Sequence, residues 1–166
     1  MTMQTTDPTE LRLPLWAELP QFSLHLDQLL DITNMVLTPI TDDQVTKTMM
    51  HNYFKAEIIM APVKKRYTQG HLAGAIVVGL LKNVFALTEL KQAMGWLLAD
   101  APAQEAYDNF VKLFNEQAAQ QGQLATQEPV SVDLTTASPA TVMQYEAVQA
   151  VLHWLAAKRV LKDYEK

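Results

Sequence analysis

The chain contains no cysteine. Disulfides and thiolate zinc sites are thereby excluded, and nothing argues for secretion. Serine is nearly as scarce, present only at positions 23, 131 and 138. None of these lies in the Gly-x-Ser-x-Gly turn that exposes a nucleophile. The five glycines form no phosphate-cradling loop. The four histidines, His25, His51, His71 and His153, show neither an HExxH motif nor helical metal spacing to one another. No catalytic residue, metal site or cofactor is therefore expected. Long hydrophobic runs are missing too. The longest, "LAGAIVVGLL" (72–81), has ten residues, whereas a span needs about 20. The opening "MTMQTTDPTELRLP" has no basic n-region or apolar h-region. The expectation is a soluble, cytoplasmic chain without a membrane partner.

What is present is enough apolar material for a core: 49% of 166 residues. The net charge of -5 conceals an uneven distribution. Residues 47–82 sum to +5, while residues 1–46 sum to -6 and residues 83–166 to -4. Within the basic stretch, Lys64, Lys65 and Arg66 stand side by side before Tyr67. A basic block between acidic ones suggests either a polyanion site or a solvated surface loop.

Helical patterning predominates. Ser23 can cap a helix to about Val36, and Pro39 should end that region. "TDDQ" (41–44) reads as a capping box opening a second helix that runs to about Phe54 or Ala56. "IIMAPVKKRYT" reads as two short extended pieces around Pro62. Thr68 can cap a third helix through about Val84, within which Gly74 and Gly79 suggest close approach of another helix. "LTEL" (87–90) opens a fourth helix to about Ala99, and Asp100 with Pro102 a fifth. Residues 121–138 have no helical period and read as a linker. Ser138-Pro139 opens a last helix to about Lys162. Its Tyr145, Val148, Leu152 and Leu155 make a packing stripe, with Val151 and Trp154 on a neighbouring line.

On the second helix, Val45, Met49, Tyr53 and Ala56 can face a core. Gln44, Thr48, His51 and Lys55 occupy the other side, flanked by Lys47 and Asn52. That is a palette able to enter a major groove. The order of helix, short hairpin with a Lys-Lys-Arg-Tyr edge, and capped helix resembles a MerR-type winged helix-turn-helix. "TKTMMHNYFKAEII" (46–59) is similar to its recognition helix, "KKRYT" to its wing, and "FALTELKQAM" (85–94) to its closing segment. A closer resemblance is to the bacterial family called domain of unknown function 1836. It is carried by "LPLWAELPQFSLHLDQLL", "TKTMMHNYFK", "PVKKRYT", "HLAGAIVVGLLKNV" and "LTELKQAM", over roughly residues 11–96. The MerR resemblance implies that Tyr53 supports a phosphate, that Lys55 follows it as a basic contact, and that Lys64, Lys65 and Arg66 form the wing, closed by Tyr67. It also implies a left-handed residue at position 57, usually glycine, where this chain has Glu57.

The expected fold is mostly α, with a MerR-like winged helix-turn-helix bearing a small β-wing, plus C-terminal helices. The expected division is a flexible segment 1–19, a winged domain 20–97 and a helical region 98–166. The leading expectation for function is a non-enzymatic transcriptional regulator. It would read double-stranded DNA with a helix at about 42–56 and a wing at 62–67, through Lys47, Thr48, His51, Asn52, Tyr53, Lys55, Lys64, Lys65, Arg66 and Tyr67. It would act as a homodimer joined through the part after residue 97, with the apolar stripe of the last helix contributing to the interface. The alternative is a protein-interaction module on the same scaffold without DNA binding. A third reading is a small-molecule sensor, with its effector among Trp96, Tyr107, Phe110, Phe114 and Trp154.

Overall fold

A computed structural model describes residues 11–122 and 133–165. These residues form a 3-10 turn at Trp16–Glu18 and six helices. The helices are α1 (Leu26–Thr41), α2 (Lys47–Lys55), α3 (Gln69–Leu81), α4 (Leu87–Asp100), α5 (Ala103–Gly122) and α6 (Pro139–Tyr164). Most of the expected linker 121–138 lies outside the described residues.

The centre of the fold is α3. Its continuous apolar run has no polar face, so it must be covered on every side. From His71 to Leu81 only Gly74 escapes full burial. α1 packs on α3, and α5 and α6 pack against it and each other. One hydrophobic core therefore runs from Leu13 to Leu155. At the α1–α3 crossing, a Cβ on Gly79 would stand 2.3 Å from Leu37 Cδ1 and 3.1 Å from Val45 Cγ2. Only a residue without a side chain lets the two helices meet so closely.

Several helix ends differ from those read in the sequence. α1 does not stop at Pro39 but continues to Thr41. The proline removes the hydrogen bond to the carbonyl of residue 35. Met35 is exposed, so that carbonyl can be satisfied by water and the helix survives. Asp42 then closes α1 in the left-handed region, with φ 57°. α2 accordingly starts later, at Lys47, and its cap is Thr46 rather than Thr41. The Thr46 hydroxyl accepts the Met49 N–H at 3.2 Å. Thr41 is instead buried and donates to Leu37 O at 3.1 Å. Likewise His25, not Ser23, precedes α1, and its N–H donates to Gln28 Oε1 at 2.9 Å. Ser138 does cap α6, accepting the Thr141 N–H at 3.2 Å.

Residues 11–19 pack as a strap on α5. Leu13 is fully buried, its N–H donates to Asn115 Oδ1 at 2.8 Å, and its carbonyl accepts from Asn115 Nδ2 at 3.1 Å. Farther along, Trp16 N–H donates to Asp108 Oδ1 at 2.8 Å, and Tyr107 OH donates to Pro14 O at 2.6 Å.

The expectation of a β-wing is overturned. Among the described residues there is no strand, only two isolated antiparallel bridges, Val63 with Arg66 and Leu24 with Tyr67. A wing needs two paired strands of several residues. Between the buried Ile59 and the start of α3 the chain has only residues 60–68, and Pro62 among them has no N–H to donate. Arg66 N–H donates to Val63 O at 2.9 Å, closing a two-residue turn, and Tyr67 then pairs backward with Leu24. The described residues form an all-helical fold, and the MerR-like winged assignment does not apply to it.

Candidate interaction surface

The turn at 63–66 has an unusual backbone. Lys64 and Lys65 both have positive φ, 50° and 59°. A turn of the I′ kind requires this at its two central positions, where Asn-Gly is the favoured pair. Two lysines there cost on the order of 1 kcal/mol each relative to glycine. The turn is nonetheless held firmly on both sides. Leu24 and Tyr67 exchange backbone hydrogen bonds at 2.8 and 3.0 Å. Tyr67 is buried, stacked on Phe54 of α2 at 5.6 Å and met by the edge of His71 at 5.5 Å. His71 is itself buried at the start of α3. Its Nδ1 accepts the Thr68 N–H at 2.9 Å, which places the ring proton on Nε2, and Nε2 donates to Ala61 O at 3.0 Å. One histidine thus ties the strip 59–63 to α3.

Of the residues expected to form a site, eight are exposed: Lys47, Thr48, His51, Asn52 and Lys55 on α2, and Lys64, Lys65 and Arg66 at the turn. The Phe54–Tyr67 stack ties α2 to the residue that follows the turn. Lys47, Lys55, Lys64, Lys65 and Arg66 meet no carboxylate among the described residues. Arg66 donates to His25 Nε2 at 3.1 Å. By contrast, Lys82 of the same basic stretch pairs with Asp43 at 3.1 Å.

The remaining two candidates are not surface residues. Tyr53 is buried, and burial, with Asp43 nearby, pushes its phenol up. Tyr67 is pushed up by burial alone. The core line of α2 also runs one position away from the expected one, through Met50 and Tyr53, with Met49 and Ala56 only half-buried. Glu57 does leave α2 in the left-handed region, with φ 59°. Its carboxylate lies 3.8 Å from Lys91.

A duplex-reading site built from a recognition helix and a wing is therefore corrected. The segment 62–67 has no strand to lay along a groove, and two of the ten residues are inside the core.

Beside the turn lies a feature that the sequence reading missed, an open apolar cleft of about 200 Å³. Its floor is the small-residue face of α3, Gly70, Ala73, Gly74 and Val77. Trp16 of the strap and Ile59 and Met60 wall one side, and Met94, Leu97 and Leu98 of α4 wall the other. Tyr107 and Phe110 of α5 close the end. Burial pushes the Tyr107 phenol up, and its proton is held by Pro14 O. The rims are unusually bare: Met60 is 65% exposed and Leu98 55%. The available signal was the spacing Gly70, Ala73, Gly74, Val77 on α3, one helix face without bulky side chains.

The aromatics considered for an effector do not gather around one cavity. Tyr107 and Phe110 line the cleft and Phe114 is buried in the core, while Trp96 faces a separate shallow depression beside Met143. Trp154 carries Lys158 Nζ over its ring at 4.6 Å. The stripe expected to join two copies is also occupied. Val148, Val151, Leu152 and Leu155 are buried in the core of their own chain, which removes the basis for a dimer through that face. No helix among the described residues is long and apolar enough to cross a membrane.

Residues 14–116 match a family model described as Domain of unknown function (DUF1836). The match runs from the strap into α5 and takes in both the cleft and the basic turn. No curated protein and no solved structure matches the chain.

Proposed function

The chain belongs to the DUF1836 family, and we propose that it works as a non-enzymatic, helix-based protein-interaction module in the cytoplasm. The observation that carries this reading is the open cleft on α3. Side chains of the size of methionine and leucine are seldom left more than half exposed on both rims of an apolar hollow unless a partner covers them. The space, about 200 Å³, falls below the range of roughly 300–1,000 Å³ usual for small-molecule sites. It suits one or two anchoring side chains of a polypeptide better than a whole effector. The floor favours close approach. At Gly70 and Gly74 an added Cβ would reach ordinary van der Waals contact with Trp16, Met60 and Ile59, so the floor is small and smooth with no bulky side chain of α3 standing up into the cleft. The cytoplasmic setting is supported by the absence of cysteine.

The test is selection of displayed random peptides, about 15 residues long to allow four helical turns, on the full chain. Enriched peptides should carry large apolar anchors, and Leu98→Glu should weaken them about tenfold by burying a carboxylate against the anchor. Leu98 is exposed, so this variant keeps its fold. Peptides that bind wild type and Leu98→Glu equally refute the assignment of the cleft.

A further inference from the structure

We infer that the partner segment is an acidic amphipathic helix, whose apolar face enters the cleft and whose carboxylates lie over Lys64, Lys65 and Arg66. This rests on the interaction reading above and adds the chemistry of the partner. The cleft and the basic turn are linked by a short, largely exposed strip of chain, interrupted only by the half-buried Pro62. Met60 is a wall of the cleft, Ala61 follows exposed, Val63 is 68% exposed, and Lys64 comes next. This strip does not float: His71 Nε2 holds Ala61 O, and the Leu24–Tyr67 bridge holds its far end. A partner therefore meets a preorganised surface and loses little to ordering it.

Charge decides the partner's sign. Three adjacent cations at the turn meet no carboxylate among the described residues. In a protein of net charge -5, Lys64 and Lys65 stand without an acid beside them, and Arg66 is engaged only by the neutral acceptor His25 Nε2. The left-handed backbone of Lys64 and Lys65 persists although glycine would relieve it, as is common where a surface is kept for binding. The apolar residues decide the partner's class. Phosphate would satisfy the cations but offers nothing to Met60, Val63 or Leu98, whereas a polypeptide with acids beside leucines satisfies both. Distance sets the pattern. Four residues of extended chain, from Met60 to Lys64, reach at most about 14 Å, which is about nine residues of helix. The acids should therefore lie within about two and a half turns along the helix from the apolar anchors.

Two displayed libraries test this on the full chain. Both carry randomised Leu, Ile, Met and Phe at helical spacing. One has Asp and Glu at the polar positions, the other Lys and Arg. The acidic library should enrich on wild type, and the Lys64→Glu/Lys65→Glu variant should reverse the preference. An enriched acidic peptide should bind that variant about tenfold more weakly, and should weaken on wild type as salt rises from about 50 to 300 mM. Met60→Glu should weaken it as well, showing that the same peptide reaches the cleft. Equal enrichment of both libraries overturns the acidic assignment while leaving a cleft that binds polypeptide. Enrichment of neither overturns both readings. Salt-sensitive capture of a 20-base-pair duplex without enrichment of peptides overturns the inference in favour of nucleic acid.

Discussion

Two corners of the molecule use the same backbone conformation to opposite effect. At the α1–α2 corner, Asp42 is left-handed, and everything around it is tied down. Asp42 meets Lys162 of α6 at 2.5 Å, Asp43 meets Lys82 of α3 at 3.1 Å, and Lys158 donates to Thr41 O at 2.7 Å. Asn34 clamps the loop by accepting Val45 N–H at 2.7 Å and donating to Val45 O at 3.0 Å. At the 63–66 turn, Lys64 and Lys65 are left-handed as well, yet their charges meet no carboxylate among the described residues. The first corner joins α1, α3 and α6 into one body. The second holds its backbone equally well and leaves its side chains free. A charged residue in a strained conformation is thus a structural feature in one place and an accessible one in the other. What separates them is whether another helix passes overhead.

The sharpest way to break this contrast is through the two glycines of α3. Gly79 sits beneath the tied corner, and Gly79→Leu must push Leu37 and Val45 aside. It should cost about 3 kcal/mol, the upper range for an overpacked core. Gly74 sits beneath the cleft, where a Cβ would stand 3.4 Å from Ile59 Cγ2. Gly74→Ala should stay within about 1 kcal/mol of wild type, because better helix propensity offsets the tighter contact. Urea unfolding of both variants reads the difference, and equal losses would show that the two sites are packed alike.

A smaller effect separates the left-handed residues. Lys64→Asn with Lys65→Gly installs the preferred turn pair and should stabilise the chain by about 1–2 kcal/mol. Asp42→Gly relieves the same strain at one residue only and loses the Lys162 contact, so its net gain should be smaller than that at the turn. Denaturation midpoints compared at one pH check this. A gain at Asp42 as large as at the turn would contradict this order.

The smallest effect is acid sensitivity. Asp42 is held below the usual carboxylate range first by its hydrogen bond from Lys162. Asp43 is held there first by the Gln44 N–H, then by Lys82. A carboxyl lowered on folding contributes stability above its unfolded pKa, about 4, and loses it as pH falls through the lower folded value. Both groups are solvated, so the loss is small. The drop in melting temperature between about pH 5 and pH 3 should be slightly less in Asp42→Asn/Asp43→Asn than in wild type. A steeper drop in that variant would contradict the assignment.

Much of the helical layout was legible because it is written locally. The Thr68 start of α3 and the Ser138-Pro139 start of α6 each follow from a few adjacent residues, whereas the left-handed exit at Glu57 was expected only from the family resemblance. The close approach at Gly79 was legible as well, since a glycine inside an apolar helix has few other uses. The β-wing was misread because Lys-Lys-Arg-Tyr after a proline has the composition of a wing. Whether such residues pair with each other depends on what else competes for their backbone. Here Leu24, more than forty residues away, takes the hydrogen bonds of Tyr67. Of the cleft, only the small-residue face of α3 at Gly70, Ala73, Gly74 and Val77 leaves a mark in the sequence, since Trp16, Met60, Leu98 and Tyr107 are scattered along the chain.

The chain's own residue order determined that it is helical, that α3 must be central, and that a run of cations sits between two acidic regions. Those outcomes follow from periodicity, capping and composition, which act over a few residues at a time. The tertiary structure alone decided which cations are neutralised, which tyrosines are removed from the surface, and where an apolar hollow stays open. These depend on how far apart in space distant residues come to rest. The packing of α1, α5 and α6 around α3 sets those distances, and no short stretch of sequence contains them.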